Sequence, residues 1–402
     1  YEMRLSLVGS EMCIRDRNVW VNRPITYVDI MQKMADSQFY EETGVKVKIS
    51  VMPDPTKLIL ANSAGNTPDV ALGLLSYMPF DLAIREALYD LSTFDDFWLT
   101  ANNFAPGALV PYILDDGVYA IPETLEFNAL VYRKDVFNSL DLDVPDTWDD
   151  VVGLLPTLQR YDMNFYYPTS GGTALKWFYQ TSPLIYQNGG SLYSEDGLTT
   201  TINSEDSVKG LKLLGDLYTT YSLPQQVQLF YNDFRYNRLP VGIIDFNTYM
   251  QLKNAAPELV GQWALAPYPG IYNEDTDEVE RWYIGNGTGG IMFKDTKDPE
   301  GSWEFMKWWM STETQTTFAY TLQGTYGPEF LWLSGNIEAI KNNPLDNDDK
   351  KIILEQITWL RDIPRTPGQY MLERGLSNIW NKVTFDGTPV RVAIDTEVII
   401  IN

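Results

Sequence analysis

The sequence predicts an α/β protein of two lobes, and three observations carry that reading. Strand and helix patterns alternate from Val19 to Leu75, a second alternating run begins near Ala129, and no repeat or low-complexity linker separates the two. A chain of 402 residues is long enough for two domains and a large buried core. Without a flexible linker, the chain is expected to pass between its lobes through ordered segments.

The elements follow in order. VWV reads as a strand end and NRP as a turn, and Tyr27 to Thr43 reads as a helix with Ile30, Met31, Met34 and Phe39 near helical spacing. Gly44 is placed to stop it. VKVKISV alternates apolar and polar as a half-buried strand does; a helix over Lys57 to Ala64, the turn GNTPD and the strand VALGLL complete the first run. The second opens with ALVYRKDVF and a helix in PDTWDDVVGLL, where Asp146 or Thr147 can cap the first turn. It continues through SPLIYQNGG, a long helix from Ser204 to Tyr221 and the strand PVGIIDF. YNEDTDEVERW reads as a solvated, hairpin-like segment, GGIMF as a strand, and Pro299 suits the first turn of the helix holding GSWEFMKWWM.

The first seventeen residues stand apart. LVGSEMCIRD, from Leu7 to Asp16, fits the codons CTC GTG GGC TCG GAG ATG TGT ATA AGA GAC, a sequencing-library adaptor, and Tyr1 to Met3 fit a flow-cell primer. Residues 1–17 are therefore expected to be translated adaptor, to be left out of fold reasoning, with the biological chain starting near Asn18. That stretch holds three bases and three acids, so the net charge of −24 belongs to the rest, and it holds the only cysteine, Cys13.

Composition then excludes whole classes. Such acidity argues against a nucleic-acid backbone or an anionic membrane as partner, since both select for Lys and Arg. The chain has no histidine, which removes Ser-His-Asp and Cys-His catalysis and most zinc chemistry. No apolar run reaches the roughly 18 residues a membrane span requires.

Several motifs take plain readings. Gly285, Gly287 and Gly290 spell GxGxxG, but an apolar strand follows where a dinucleotide site needs a helix, so a glycine-rich crossing between lobes is expected. PLDNDDKK lacks the glycine and final glutamate of a calcium loop and reads as a helix start capped by Asp346 or Asp348. Glu123 and Glu126 form a conceivable glycosidase pair, one alternative to a binding function. The positive signal is aromatic: Tyr77, Tyr179, Tyr249 and Tyr370 stand in polar settings, where a ring stacks on a ligand while its hydroxyl bonds the edge. Trp303, Trp308 and Trp309, on one helix, read as core.

VWVNRPITYVDIMQKMADSQFYEETGVKVKISVMP, NTPDVALG, EFNALVYRKDVFNSLDLDVPDTWDDV and KDPEGSWEFMKWWMSTETQ, taken in this order, resemble family 1 extracellular solute-binding proteins. These are the sugar-binding receptors of ABC importers, the family of the maltodextrin-binding protein. The resemblance implies a two-lobe periplasmic-binding-protein type II-like fold that closes on its ligand by hinge bending. The first lobe would comprise residues 18–128 and 290–325, and the second 129–289 and 326–402, with crossings near Phe127–Val131, Gly287–Ile291 and Gly324–Pro328. It implies a carbohydrate ligand, permease transmembrane subunits as partners, a monomer without cofactor or metal, no catalysis, and a place in the periplasm or lipid-anchored outside the cell membrane. The alternatives to such a transport receptor are the glycosidase and a polysaccharide-docking module without transport. The implied ligand-binding residues are Asn22 and Arg23 after the first strand, Ser76 and Tyr77 after the third, and Glu126 with Asn128. Tyr179, Asn247, Tyr249, Tyr370 and Arg374 complete them. Two departures stand out: no tryptophan at the first-lobe stacking position, and an end at AIDTEVIIIN where the family's last helix would ordinarily continue.

Overall fold

The computed structural model describes residues 16–52, 54–169, 176–285 and 287–402, so most of the adaptor-like stretch lies outside the described residues. Arg17, its last residue, opens the first strand.

The first half alternates strand and helix: β1 (Arg17–Val21), α1 (Ile25–Met34), β2 (Val47–Val51), α2 (Lys57–Ala64), β3 (Val70–Leu75) and α3 (Tyr77–Ala83). Helical structure after α1 persists through a π-type turn to Thr43 and ends at Gly44 with φ 71°, a left-handed geometry that only glycine adopts without cost. β4 (Ile121–Thr124) leads directly into β5 (Asn128–Arg133). There follow α4 (Trp148–Arg160), β6 (Phe165–Tyr166), α5 (Lys176–Gln187), α6 (Glu205–Thr219), β7 (Val241–Asp245), α7 (Phe246–Ala255) and β8 (Trp263–Ala266). The chain ends with β9 (Thr288–Met292), α8 (Pro299–Met310), α9 (Thr312–Tyr326), α10 (Asn347–Ile357), α11 (Gln369–Thr384) and α12 (Val390–Ile401).

Helix starts are locally encoded. Thr147 and Asp150 form a reciprocal capping box on α4; Ser204, Asp298 and Asp346 cap α6, α8 and α10. The acidic YNEDTDEVERW segment contains a two-stranded ribbon, Ile271–Asn273 against Glu278–Glu280.

One sheet has the order β2-β1-β3-β9-β4, the other β8-β5-β7-β6. Each faces its own apolar core. The first core includes Val19, Leu72, Ile291, Trp303 and Trp309; the second includes Leu130, Trp148, Phe178, Ile243 and Leu376. The chain passes from the first core to the second between Ile121 and Leu125 and back between Ile284 and Ile291. Its third passage falls at Trp332–Leu333, beyond the stretch Gly324–Pro328, because Tyr326, Phe330 and Trp332 still pack on the first core.

These passages lie side by side. The Leu125 N–H donates to the Leu333 carbonyl at 3.2 Å and the Gly335 N–H to the Glu123 carbonyl at 2.7 Å. A Cβ on Gly287 would stand 2.1 Å from the Thr124 carbonyl, and one on Gly335 would stand 2.4 Å from the Pro122 carbonyl. The GxGxxG stretch therefore serves backbone approach at a crossing, not a nucleotide.

Candidate functional site

Strand direction gathers the candidate residues. β1 and β3 are parallel, and β4 runs the same way because both it and β3 pair antiparallel with β9. The carboxyl ends of β1, β3 and β4, followed by Asn22–Arg23, Ser76–Tyr77 and Leu125–Phe127, thus share one edge. In the other sheet Asn128 pairs with Asp245 and Tyr166 with Gly242, which places the start of β5 and the ends of β6 and β7 on one edge. The chain joins these edges directly, and carboxyl edges are where open α/β sheets take ligands.

Two cavities open there. One of about 330 Å³ is lined by Glu126, Asn128, Tyr166, Tyr179, Asp245 and Asn247, among others. The other, of about 280 Å³, is lined by Arg23, Tyr27, Phe246, Asn247, Glu329 and Trp332, among others, and again by Glu126. Glu126 and Asn247 belong to both walls, so the two form one groove.

Arg23 is held by the first sheet. Its Nη2 donates to Glu123 Oε2 at 3.1 Å and to Thr288 Oγ1 at 2.7 Å, and its guanidinium lies 5.0 Å from the centre of the Trp332 ring. Glu123 is fully buried, and its other oxygen accepts from Trp309 Nε1 at 3.0 Å. A carboxylate so placed reaches no substrate, which removes Glu123 and Glu126 as a hydrolase pair. Glu126 is different. Burial, and then the negative charge of Asp245, push its carboxyl up to about 8, against weaker opposing pulls from Arg23 and the Phe246 N–H. At neutral pH it carries a proton and can donate to a ligand oxygen.

The family profile for bacterial extracellular solute-binding proteins matches residues 25–316. The chain belongs to that family. Members are non-enzymatic receptors. Among curated proteins, the multiple sugar-binding protein of Streptococcus mutans is 27% identical over 149 residues, 35% of this chain and 34% of that protein. The match thus spans about a third of that relative's length. Among solved structures, the sugar-binding protein MalE of Xanthomonas citri aligns with TM-score 0.79 at 16% identity, covering 96% of each chain. A Staphylococcus aureus extracellular solute-binding protein in complex with maltose gives TM-score 0.77 at 16% identity, also covering 96% of each. An ABC transporter solute-binding protein of Thermotoga lettingae bound with α-D-tagatose gives 0.69 at 19%, covering 96% of this chain and 99% of that one. At these identities the structural likeness shows the fold, an α/β periplasmic-binding-protein-like architecture of the maltose-binding kind.

In this solute-binding protein Arg23, Glu126, Asn128, Tyr179 and Asn247 meet at the groove. The other expected site residues do not line it. Tyr249 is 1% exposed, and its hydroxyl donates to Asp349 Oδ2 at 2.8 Å. Two residues after Asn247 on a helix is more than half a turn, so Tyr249 faces the core while Asn247 faces the groove. The Asn22 amide donates to the Gly73 carbonyl at 3.2 Å and serves the strand end. Ser76 is buried and bonded to Arg365, and Tyr77 packs half-buried against both cores. The exposed Tyr370 donates to Asp81 Oδ2 at 3.1 Å, and the exposed Arg374 donates to Met371 Sδ at 3.4 Å.

Sequence reasoning missed Tyr166, Phe246 and Trp332. Phe246 was findable: Asp245 accepts from the Thr248 N–H at 2.8 Å, and a cap directly after a strand puts the next two residues at the carboxyl edge. Trp332 sits in an irregular return segment that carries no local signal. Among the described residues no helix is long and apolar enough to cross a membrane, and no group of acids could hold a metal ion.

Proposed function

We propose that this solute-binding protein is the carbohydrate receptor of an ABC importer, taking an oligosaccharide into the groove and delivering it to a membrane permease outside the cytoplasm. The observation that carries this reading is the groove itself. It joins two cavities of about 330 and 280 Å³ through Glu126 and Asn247, and its walls come from both sheets. Ligand cavities of this combined size, some hundreds of Å³, suit a short oligosaccharide. Tyr179, Tyr166 and Phe246 supply ring faces; Asn128, Asn247 and the protonated Glu126 supply directional hydrogen bonds to a neutral polyol. Sugars named with the structurally similar proteins, maltose and tagatose, lend support.

The two cores act as lobes that swing about the three side-by-side passages, and a ligand closes them only as far as it binds the closed form better. A thermal-shift screen of mono- and oligosaccharides tests this. A bound saccharide at about 100 times its dissociation constant should add about 2.7 kcal/mol of stability. No shift with any saccharide would overturn the reading.

A further inference from the structure

Between α10 and α11 the chain crosses residues 361–366 without regular structure, yet Asp362, Ile363, Arg365 and Thr366 are buried. Irregular connections normally run over the surface, where water satisfies their polar groups. This one is a strap laid against the first half of the chain. The Asp362 N–H donates to the Gly107 carbonyl at 3.1 Å. Farther along, Arg365, only 5% exposed, donates from Nη2 to Ser76 Oγ at 2.9 Å, and Ser76 is 1% exposed. Ser76 ends the link from β3 to α3 beside the first core, whereas Arg365 precedes α11 of the second. The Tyr179 hydroxyl lies in polar contact with both Ser76 and Arg365, and Tyr179 also lines the groove. Just beyond the strap, Tyr370 reaches Asp81 on α3.

We propose that Arg365 is a positioning residue: it fixes the groove tyrosine Tyr179 and ties it to Ser76, so the two halves are held together before a ligand arrives. A buried guanidinium has to be paired, and its rigid fork serves two partners at once. The Ser76 hydroxyl is the partner from the other half, so the tie exists only while the halves are close. Among the described residues the Arg365 Nε has no partner, so the Nη2 bond to Ser76, the contact with the Tyr179 hydroxyl and the Nη1 contact with Gln369 at 3.5 Å hold the group.

The inference does not depend on the carbohydrate reading, since its test uses no saccharide. Small-angle X-ray scattering on the ligand-free protein compares wild type with Ser76→Ala, Arg365→Gln and the double variant. The expected result is a larger radius of gyration in each, with the double variant no larger than the singles and the far-UV circular dichroism of Ser76→Ala unchanged. Ser76→Ala removes a single oxygen, so it carries the test even if Arg365→Gln fails to fold. A Ser76→Ala scattering curve that superposes on wild type overturns the proposal, as does expansion in Arg365→Gln alone.

Discussion

Glu123 and Glu126 stand three residues apart at the end of β4, and the structure treats them in opposite ways. Glu123 is the deeper of the two, fully buried, yet it has a guanidinium, a hydroxyl and an indole N–H directed at it. Glu126 keeps some access to the groove but has a like charge, Asp245, beside it, and Arg23 directs its Nη2 at Glu123 and Thr288. The contrast shows that depth alone does not set a carboxyl group's role here. Pairing makes Glu123 a structural pivot, and lack of pairing leaves Glu126 holding a proton that a ligand can use.

The comparison breaks most violently at Arg23. Arg23→Met leaves Glu123 buried beside two neutral donors, and removing one partner of a buried ion pair costs about 3–5 kcal/mol. Urea unfolding should show that loss as a lower midpoint at unchanged slope, and adding Glu123→Gln should restore part of it. A loss below about 1 kcal/mol would mean that Thr288 and Trp309 suffice, since that is the worth of an ordinary hydrogen bond.

An effect of similar size, spread over a range of pH, is expected at Glu126. Its folded-state value, about 8, lies above the roughly 4.3 of an unfolded glutamate. Between those values the folded protein holds a proton that the unfolded chain has released, so this group's contribution to stability is present in full below the lower value and is lost as pH rises to about 8. Glu126→Gln should flatten that fall and leave the variant at least as stable as wild type above pH 8, read from unfolding midpoints across the range. Saccharide affinity should follow: lost above about pH 8 in wild type and retained in the variant, whose amide still donates. Identical pH profiles for the two proteins would sink the assignment.

The fold was legible because its signals are local. Gly44, Thr147, Ser204 and Asp298 each act within a turn of their own position, and the alternation around VKVKISV needs only its sheet neighbours. Arg23, Glu126 and Asn247 reach the groove because each follows a strand at its carboxyl end, and Asn128 because it opens β5 beside the end of β7, positions that sequence pattern reveals. What failed was phase and distance. Tyr249 is turned inward by helical periodicity, and Ser76 is claimed by Arg365, 289 positions away. The pairing of Glu123 rather than Glu126 with Arg23 likewise depends on where β4 and β9 meet, which no local pattern states.

The gentlest intervention is Asp245→Asn, which keeps everything about the site except one charge. Asparagine caps a helix about as well as aspartate, so the start of α7 at Thr248 should lose little. Burial is the larger reason for the raised Glu126 carboxyl and Asp245 the second, so the variant should lower that value without returning it to the ordinary range. Carboxyl-detected NMR titration of Glu126 would read the change directly. An unchanged titration would assign the whole effect to burial, and the proton on Glu126 would then be a property of the β4–β5 passage rather than of two acids meeting across the edge of one sheet.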